Sequence, residues 1–128
     1  MNMSEEEIKE KLYIKGIEAF NSHQFYDAHE YWEDLWSDYR LKDAKFIQGL
    51  IQLSVGYFHI TNFNRNGALG LLKKCRGKLI DFSPIHRELD VKYIILSINK
   101  TMKCMNSVDD LSQFDWTLVP KIKVTNGR

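Results

Sequence analysis

Hydrophobic and polar positions recur at helical spacing along most of this chain. Ser4 followed by Glu7 forms a capping box, so a first helix should begin near Glu5, with Ile8, Leu12, Gly16, Ala19 and Phe20 on one side. Asn21-Ser22-His23-Gln24 interrupts it. The spacing predicts a second helix from Phe25 to Tyr39. There Phe25, Ala28, Trp32, Leu35, Trp36 and Tyr39 make an apolar arc, and Asp27, Glu30, Asp34 and Asp38 face away as a solvated surface. Leu41-Lys42-Asp43 joins it to a third helix, with Asp43 as the expected N-cap. From Phe46 to Asn64 no residue is charged. Phe46, Leu50, Leu53, Tyr57 and Ile60 line one side, Ile47, Ile51 and Phe58 widen it, and Gln48, Gln52 and His59 gather in a strip opposite. A helix apolar over most of its circumference is buried among others, so this stretch is the expected centre of the fold. Its polar strip needs partners, because a buried amide left unpaired costs roughly 1–3 kcal/mol.

Asn62 to Gly67 is the next break, with Asn64 or Asn66 capping a fourth helix from Gly67 to Leu79 whose inner side is Ala68, Leu71, Leu72 and Cys75. Asp81 to Glu88 contains Ser83-Pro84 and reads as a loop. Asp90 then caps a fifth helix from Val91 to Met105, whose Val91, Ile94, Ile95, Ile98, Met102 and Met105 stripe is core. A short helix over Val108 to Phe114 and an extended tail over Trp116 to Val124 complete the reading, with frayed ends at residues 1–4 and 125–128. No strand pattern stands out. The expectation is one all-α domain over residues 1–128, a compact antiparallel bundle or array of about five helices. Gly16, Ala28 and Trp32 recur forty residues later as Gly56, Ala68 and Leu72, so two stacked tetratricopeptide-like hairpins are expected, followed by the C-terminal helix and tail.

Composition narrows the function classes. The 128 residues carry a net charge of +1 and 12% aromatic side chains, which excludes disorder and any global field toward polyanions or anionic membranes. The acidic, polar start is not a secretory signal. Gln48, Gln52, Ser54, His59, Thr61 and Asn62 make the third helix a poor membrane span, so a cytoplasmic protein is expected. Cys75 and Cys104 stand apart, without zinc-ligand spacing, and read as free thiols. Lys73, Lys74, Arg76 and Lys78 read as a basic helix end that complements the dipole; a nucleic-acid contact would call for interleaved stacking aromatics, and none is adjacent in the sequence.

The candidate chemistry lies between the second and third helices. His29 sits at the edge of the apolar arc with Glu33 one turn on, and the short connector makes the two helices antiparallel neighbours. His29 and Glu33 are therefore expected to face Gln48, Gln52 or His59, with Trp32 and Trp36 as apolar walls and Tyr26 and Tyr57 offering hydroxyls. Three readings of these residues stand side by side: a satisfied structural network, a pocket for a small molecule or protein partner, and a hydrolase-like or metal-dependent site. In the last, His29 or His59 is the base and Glu33 its orienting acid. His29 and Glu33 are weak candidates for metal ligands, since the zinc-protease motif would need a second histidine at position 33. The leading expectation is a binding module, the alternative an enzyme. No cofactor, partner identity or oligomeric state is indicated.

Gly16-Ile-Glu-Ala-Phe-Asn, Phe25-Tyr-Asp-Ala-His-Glu-Tyr-Trp-Glu-Asp-Leu-Trp36 and Phe46-Ile-Gln-Gly-Leu-Ile-Gln-Leu, with His59 and Asn66-Gly-Ala-Leu69, resemble a specific family. It is the bacterial and archaeal domain of unknown function 309, a Thermus-type all-helical superfamily. The resemblance covers about residues 12 to 80. It implies a small all-α cytoplasmic protein and no particular activity. Its motif positions fall here on His29, Glu30, Trp32, Glu33, Trp36, Gln48, Gly49, Gln52, His59, Asn66, Gly67 and Ala68. The family often places glycine in the turn before Phe25, where this chain has Ser22-His23-Gln24, so that turn must form without the residue that most readily takes positive φ.

Overall fold

The computed structural model describes residues 2–124. Its helices are α1 (Glu5–Asn21), α2 (Phe25–Asp38), α3 (Ala44–Thr61), α4 (Arg65–Leu79) and α5 (Val91–Ser107). The fold is the expected all-α array. α1 starts on the reciprocal capping box, Ser4 and Glu7 each bonding the other's backbone N–H at 3.1 Å. α3 lies between α2 and α4. Phe46, Ile47, Leu50, Leu53 and Tyr57 on it are wholly buried, and the Tyr57 hydroxyl is paired with Thr101 Oγ1 of α5 at 2.7 Å. No helix among the described residues is long and apolar enough to cross a membrane.

The forty-residue repeat is structural. After α1, His23 N bonds Phe20 O and Gln24 N bonds Ala19 O; after α3, Phe63 N bonds Ile60 O and Asn64 N bonds His59 O. Both turns are Schellman closures, which place one residue in the left-handed region, usually glycine. Here His23 (φ 59°) and Phe63 (φ 57°) take that position instead. Within each hairpin a bulky side chain fills the space over a glycine. A Cβ on Gly16 would lie 2.1 Å from Trp32 Nε1, and one on Gly56 2.7 Å from Leu72 Cδ2. Trp32 also donates to Tyr13 O at 3.2 Å, so the α1–α2 approach is pinned by one ring.

Several local expectations need correcting. α4 begins at Arg65, capped by Asn64, whose Oδ1 accepts from Gly67 N at 3.0 Å; Asn66 is inside the helix and exposed. Residues 80–90 form a one-turn 3-10 helix (Ile80–Phe82) and a two-residue hairpin, β1 (Ile85–His86) pairing antiparallel with β2 (Leu89–Asp90). Alternation over two residues leaves no readable pattern. Val108 to Phe114 contains only the 3-10 turn Leu111–Gln113, and the tail has another at Trp116–Leu118 before it extends. Asn21 holds the tail by both backbone groups of Ile122, each at 2.8 Å, and Ile122 is buried. Cys75 and Cys104 are free thiols. The expected fraying at Met1 and at residues 125–128 lies outside the described residues.

Candidate functional site between α2 and α3

Tyr26, His29, Glu33 and Trp36 follow one stripe of α2, and Gln48, Gln52, Val55 and His59 one stripe of α3. The helices bring parts of these together. Tyr26 packs on Phe58 with ring centroids 5.5 Å apart and meets the His29 ring edge-on at 5.1 Å. Tyr26, His29, Val55, Phe58 and His59 line a cavity of about 240 Å³. That is below the roughly 300–1,000 Å³ of pockets for drug-sized ligands and suits one side chain or a small group.

The hydrogen bonds fix the role of one nitrogen in each imidazole. His29 Nδ1 lies 3.0 Å from Tyr26 O; a carbonyl only accepts, so Nδ1 carries a proton. His59 Nδ1 lies 3.3 Å from Asn64 Nδ2. Because Asn64 Oδ1 is occupied by Gly67 N, its amide donates and His59 Nδ1 accepts. The cavity wall is almost wholly apolar, made by ring carbons and Val55 rather than by the imidazole nitrogens.

Gln52 is the anomaly. Its Oε1 is sealed from solvent with no hydrogen-bond partner, the one such side-chain atom among the described residues. Glu33 and Gln48 are half-buried, and no hydrogen bond or ion pair joins Glu33 to either histidine. The arrangement is therefore not a closed network, nor a base held by an acid. Two expected walls are elsewhere: Trp32 is wholly buried against Gly16, and Trp36 stands exposed at the far end of the stripe. Tyr57 points into the core, and Asn66 takes no part, its place beside His59 filled by Asn64. Among the described residues no group of three or more His, Cys, Asp and Glu could hold a metal ion.

Residues 13–71 match the model of a family described as a domain of unknown function, DUF309. Over that segment the chain is similar to DUF309. The matched segment runs from the middle of α1 into α4 and contains every member of the α2/α3 site. No curated protein and no solved structure matches the chain.

One ion cluster ties the DUF309 segment to the chain beyond it, and the sequence did not reveal it. Asp43 makes no N-cap bond. It accepts instead from His86 Nε2 at 2.7 Å and from Arg87 Nε and Nη2 at 2.6 and 2.9 Å. Arg87 lies over the Tyr13 ring at 4.9 Å, and His86 packs on Phe46 and Phe82. Burial would raise the Asp43 carboxyl, but the hydrogen bonds from Arg87 and His86 outweigh it and hold the pKa below the ordinary aspartate value. The hairpin reaches this position through a two-residue turn with Arg87 at φ 47° and Glu88 at φ 63°. Such turns favour Asn-Gly, which is why Arg-Glu gave no hairpin signal. With its carboxylate saturated, the cluster is a clasp between the α2–α3 connector and the hairpin.

Proposed function

We propose that this protein is a binding module whose α2/α3 edge receives a cationic, hydrogen-bond-donating group, such as a lysine or arginine side chain of a partner. The observation that carries this reading is the unpartnered Gln52 Oε1, sealed in the free protein one turn from Val55 of the cavity, which meets a donor when the α2/α3 edge opens to admit the group. A buried acceptor without a donor is held at a cost in stability, and ligands are a common reason for that cost. Glu33 on the neighbouring stripe of α2 agrees in sign. α2 as a whole carries five carboxylates and no lysine or arginine, and exposed Tyr26 offers a ring face for a cation beside the cavity. The size and apolar wall of the cavity suit the aliphatic stem of one lysine or arginine rather than a larger metabolite. A base-acid reading has less support, because the orienting group on His29 is a backbone carbonyl rather than Glu33.

Titration of ¹⁵N-labelled protein with N-acetyl-arginine amide and N-acetyl-lysine amide tests this. Side-chain resonances of Gln52 and His29 should shift with either probe, and Glu33→Gln should weaken the response several-fold. Equal shifts with N-acetyl-glutamate amide, or none with the cationic probes at millimolar concentration, would rule the reading out.

A further inference from the structure

The net charge of +1 conceals a division. Residues 1–64 carry 11 carboxylates and 6 lysines and arginines, whereas residues 65–128 carry 6 and 12. Neither α4 nor α5 contains an acidic residue. The two helices run antiparallel: Arg65 at the start of α4 reaches the carbonyls of Met105, Val108 and Asp109 at the end of α5, and Arg76 Nη1 donates to Asn99 Oδ1 at 2.8 Å. Lys73 is one turn from Arg76, and Lys103 one turn from Asn99 toward the same end. Lys73, Lys100 and Lys103 are all exposed. In the other direction α5 exposes Leu96 (50%) and Tyr93 (45%). Tyr93 borders a cavity of about 520 Å³ lined also by Ile94, Ile122, Val124, Lys121, Lys123 and Asp90, whose carboxylate accepts from Tyr93 N at 2.9 Å. Of the basic cluster on α4, only Arg76 and Lys78 lie in the last turn, so the helix dipole does not account for Lys73 and Lys74.

The glycines of α4 supply an independent observation. A Cβ on Gly70 or Gly77 would meet nothing within 4 Å, in contrast to Gly16, Gly49 and Gly56. Exposed glycines weaken a helix relative to alanine, and neither Gly70 in mid-helix nor Gly77 in the last turn is explained by packing. They sit one turn before and one turn after Lys73 and Lys74, which leaves bare backbone at either end of that pair of cations. Such a surface admits another backbone at close range.

We propose that the α4/α5 face binds single-stranded nucleic acid. Phosphates run along the Gly70–Gly77 stripe past Lys73, with Lys100 and Lys103 on its α5 side, and an unstacked base rests on Tyr93 at the cavity lined by Lys121 and Lys123, where the Asp90 carboxylate is already engaged by Tyr93 N. A cationic groove beside an exposed aromatic ring is the usual arrangement for this ligand. Insertion into a lipid surface calls for a row of large apolar side chains, whereas among the described residues this face exposes only Leu96 and Tyr93, set between lysines and bare glycines.

The test is fluorescence anisotropy of the full chain with a labelled mixed-sequence single strand of about 20 nucleotides, long enough for a strand-tracking groove. Binding should weaken linearly on a log–log salt plot, with a slope of about −0.7 per phosphate contacted. Lys73→Gln with Lys103→Gln should flatten that slope by roughly 1.4. Tyr93→Ala should weaken binding about tenfold at unchanged slope, consistent with the loss of one stacked base. Gly70→Ala with Gly77→Ala should raise the melting temperature yet weaken binding, which guards against variants that simply unfold. The proposal is overturned by any of four results: no salt-dependent binding; wild-type affinity in the lysine or tyrosine variants; tighter binding to a duplex of the same sequence or to phosphatidylserine vesicles; or sedimentation showing that the face is taken by the acidic α2 of a second copy.

Discussion

Replacing Gln52 with methionine puts the central observation to a quantitative test. Methionine keeps the unbranched shape of glutamine and removes both polar atoms. In the native protein Oε1 is sealed without a donor, a state that costs roughly 1–3 kcal/mol relative to water. The stem still packs on the same neighbours, so little apolar contact is lost. The expected outcome is a gain of about 1–2 kcal/mol, taken from the lower part of that range because Gln52 is only half-buried overall. For a chain of this length that corresponds to a melting temperature roughly 3–10 °C higher. The assay is guanidinium denaturation of wild type and Gln52→Met, compared at equal slope so that the midpoint shift reports stability alone. A loss of about 1 kcal/mol or more would show that the carbonyl is hydrogen-bonded in solution, and the binding argument built on it would fail. A gain in stability together with a lost response to cationic probes is the result expected of a binding group.

Glu33→Gln should change stability by no more than about 0.5 kcal/mol in the same assay, as for a surface site without partners; a drop of about 1–3 kcal/mol would show a charge-assisted bond holding the helices together. Phe63→Gly should stabilise by about 0.5–1 kcal/mol, since relief of the left-handed φ exceeds the added chain entropy and the ring is 65% exposed. His23→Gly should gain less, because its ring stacks on Phe25 at 5.2 Å; equal gains at the two turns would contradict this. Asp43→Asn should cost about 2–3 kcal/mol by leaving Arg87 without its counter-charge in a part-buried site. Because the Asp43 pKa is lowered on folding, its stabilisation is full above the unfolded value of about 4 and is lost as pH falls through the folded value. Denaturation midpoints across the acid range should therefore fall less steeply in Asp43→Asn than in wild type, and parallel curves would refute the clasp.

The five helices were legible because each carries its own signals. The capping box at Ser4 and Glu7, the uncharged run from Phe46 and the Met-Ile stripe of α5 are local patterns that tertiary contacts had no cause to override. The forty-residue echo was legible too, since a glycine facing a bulky residue is a packing rule written in sequence. The match to the DUF309 model falls on the same residues. What one side chain does to another was not legible. Trp32 sits in the core and Trp36 in solvent because an arc of apolar residues does not say which of two flanking helices each will meet. The partners of Asp43 lie 43 and 44 residues away in a hairpin too short to have a period. The basic face likewise exists only once α4 and α5 lie side by side and the tail folds back on Asn21, because charge adds up over a surface rather than along a chain.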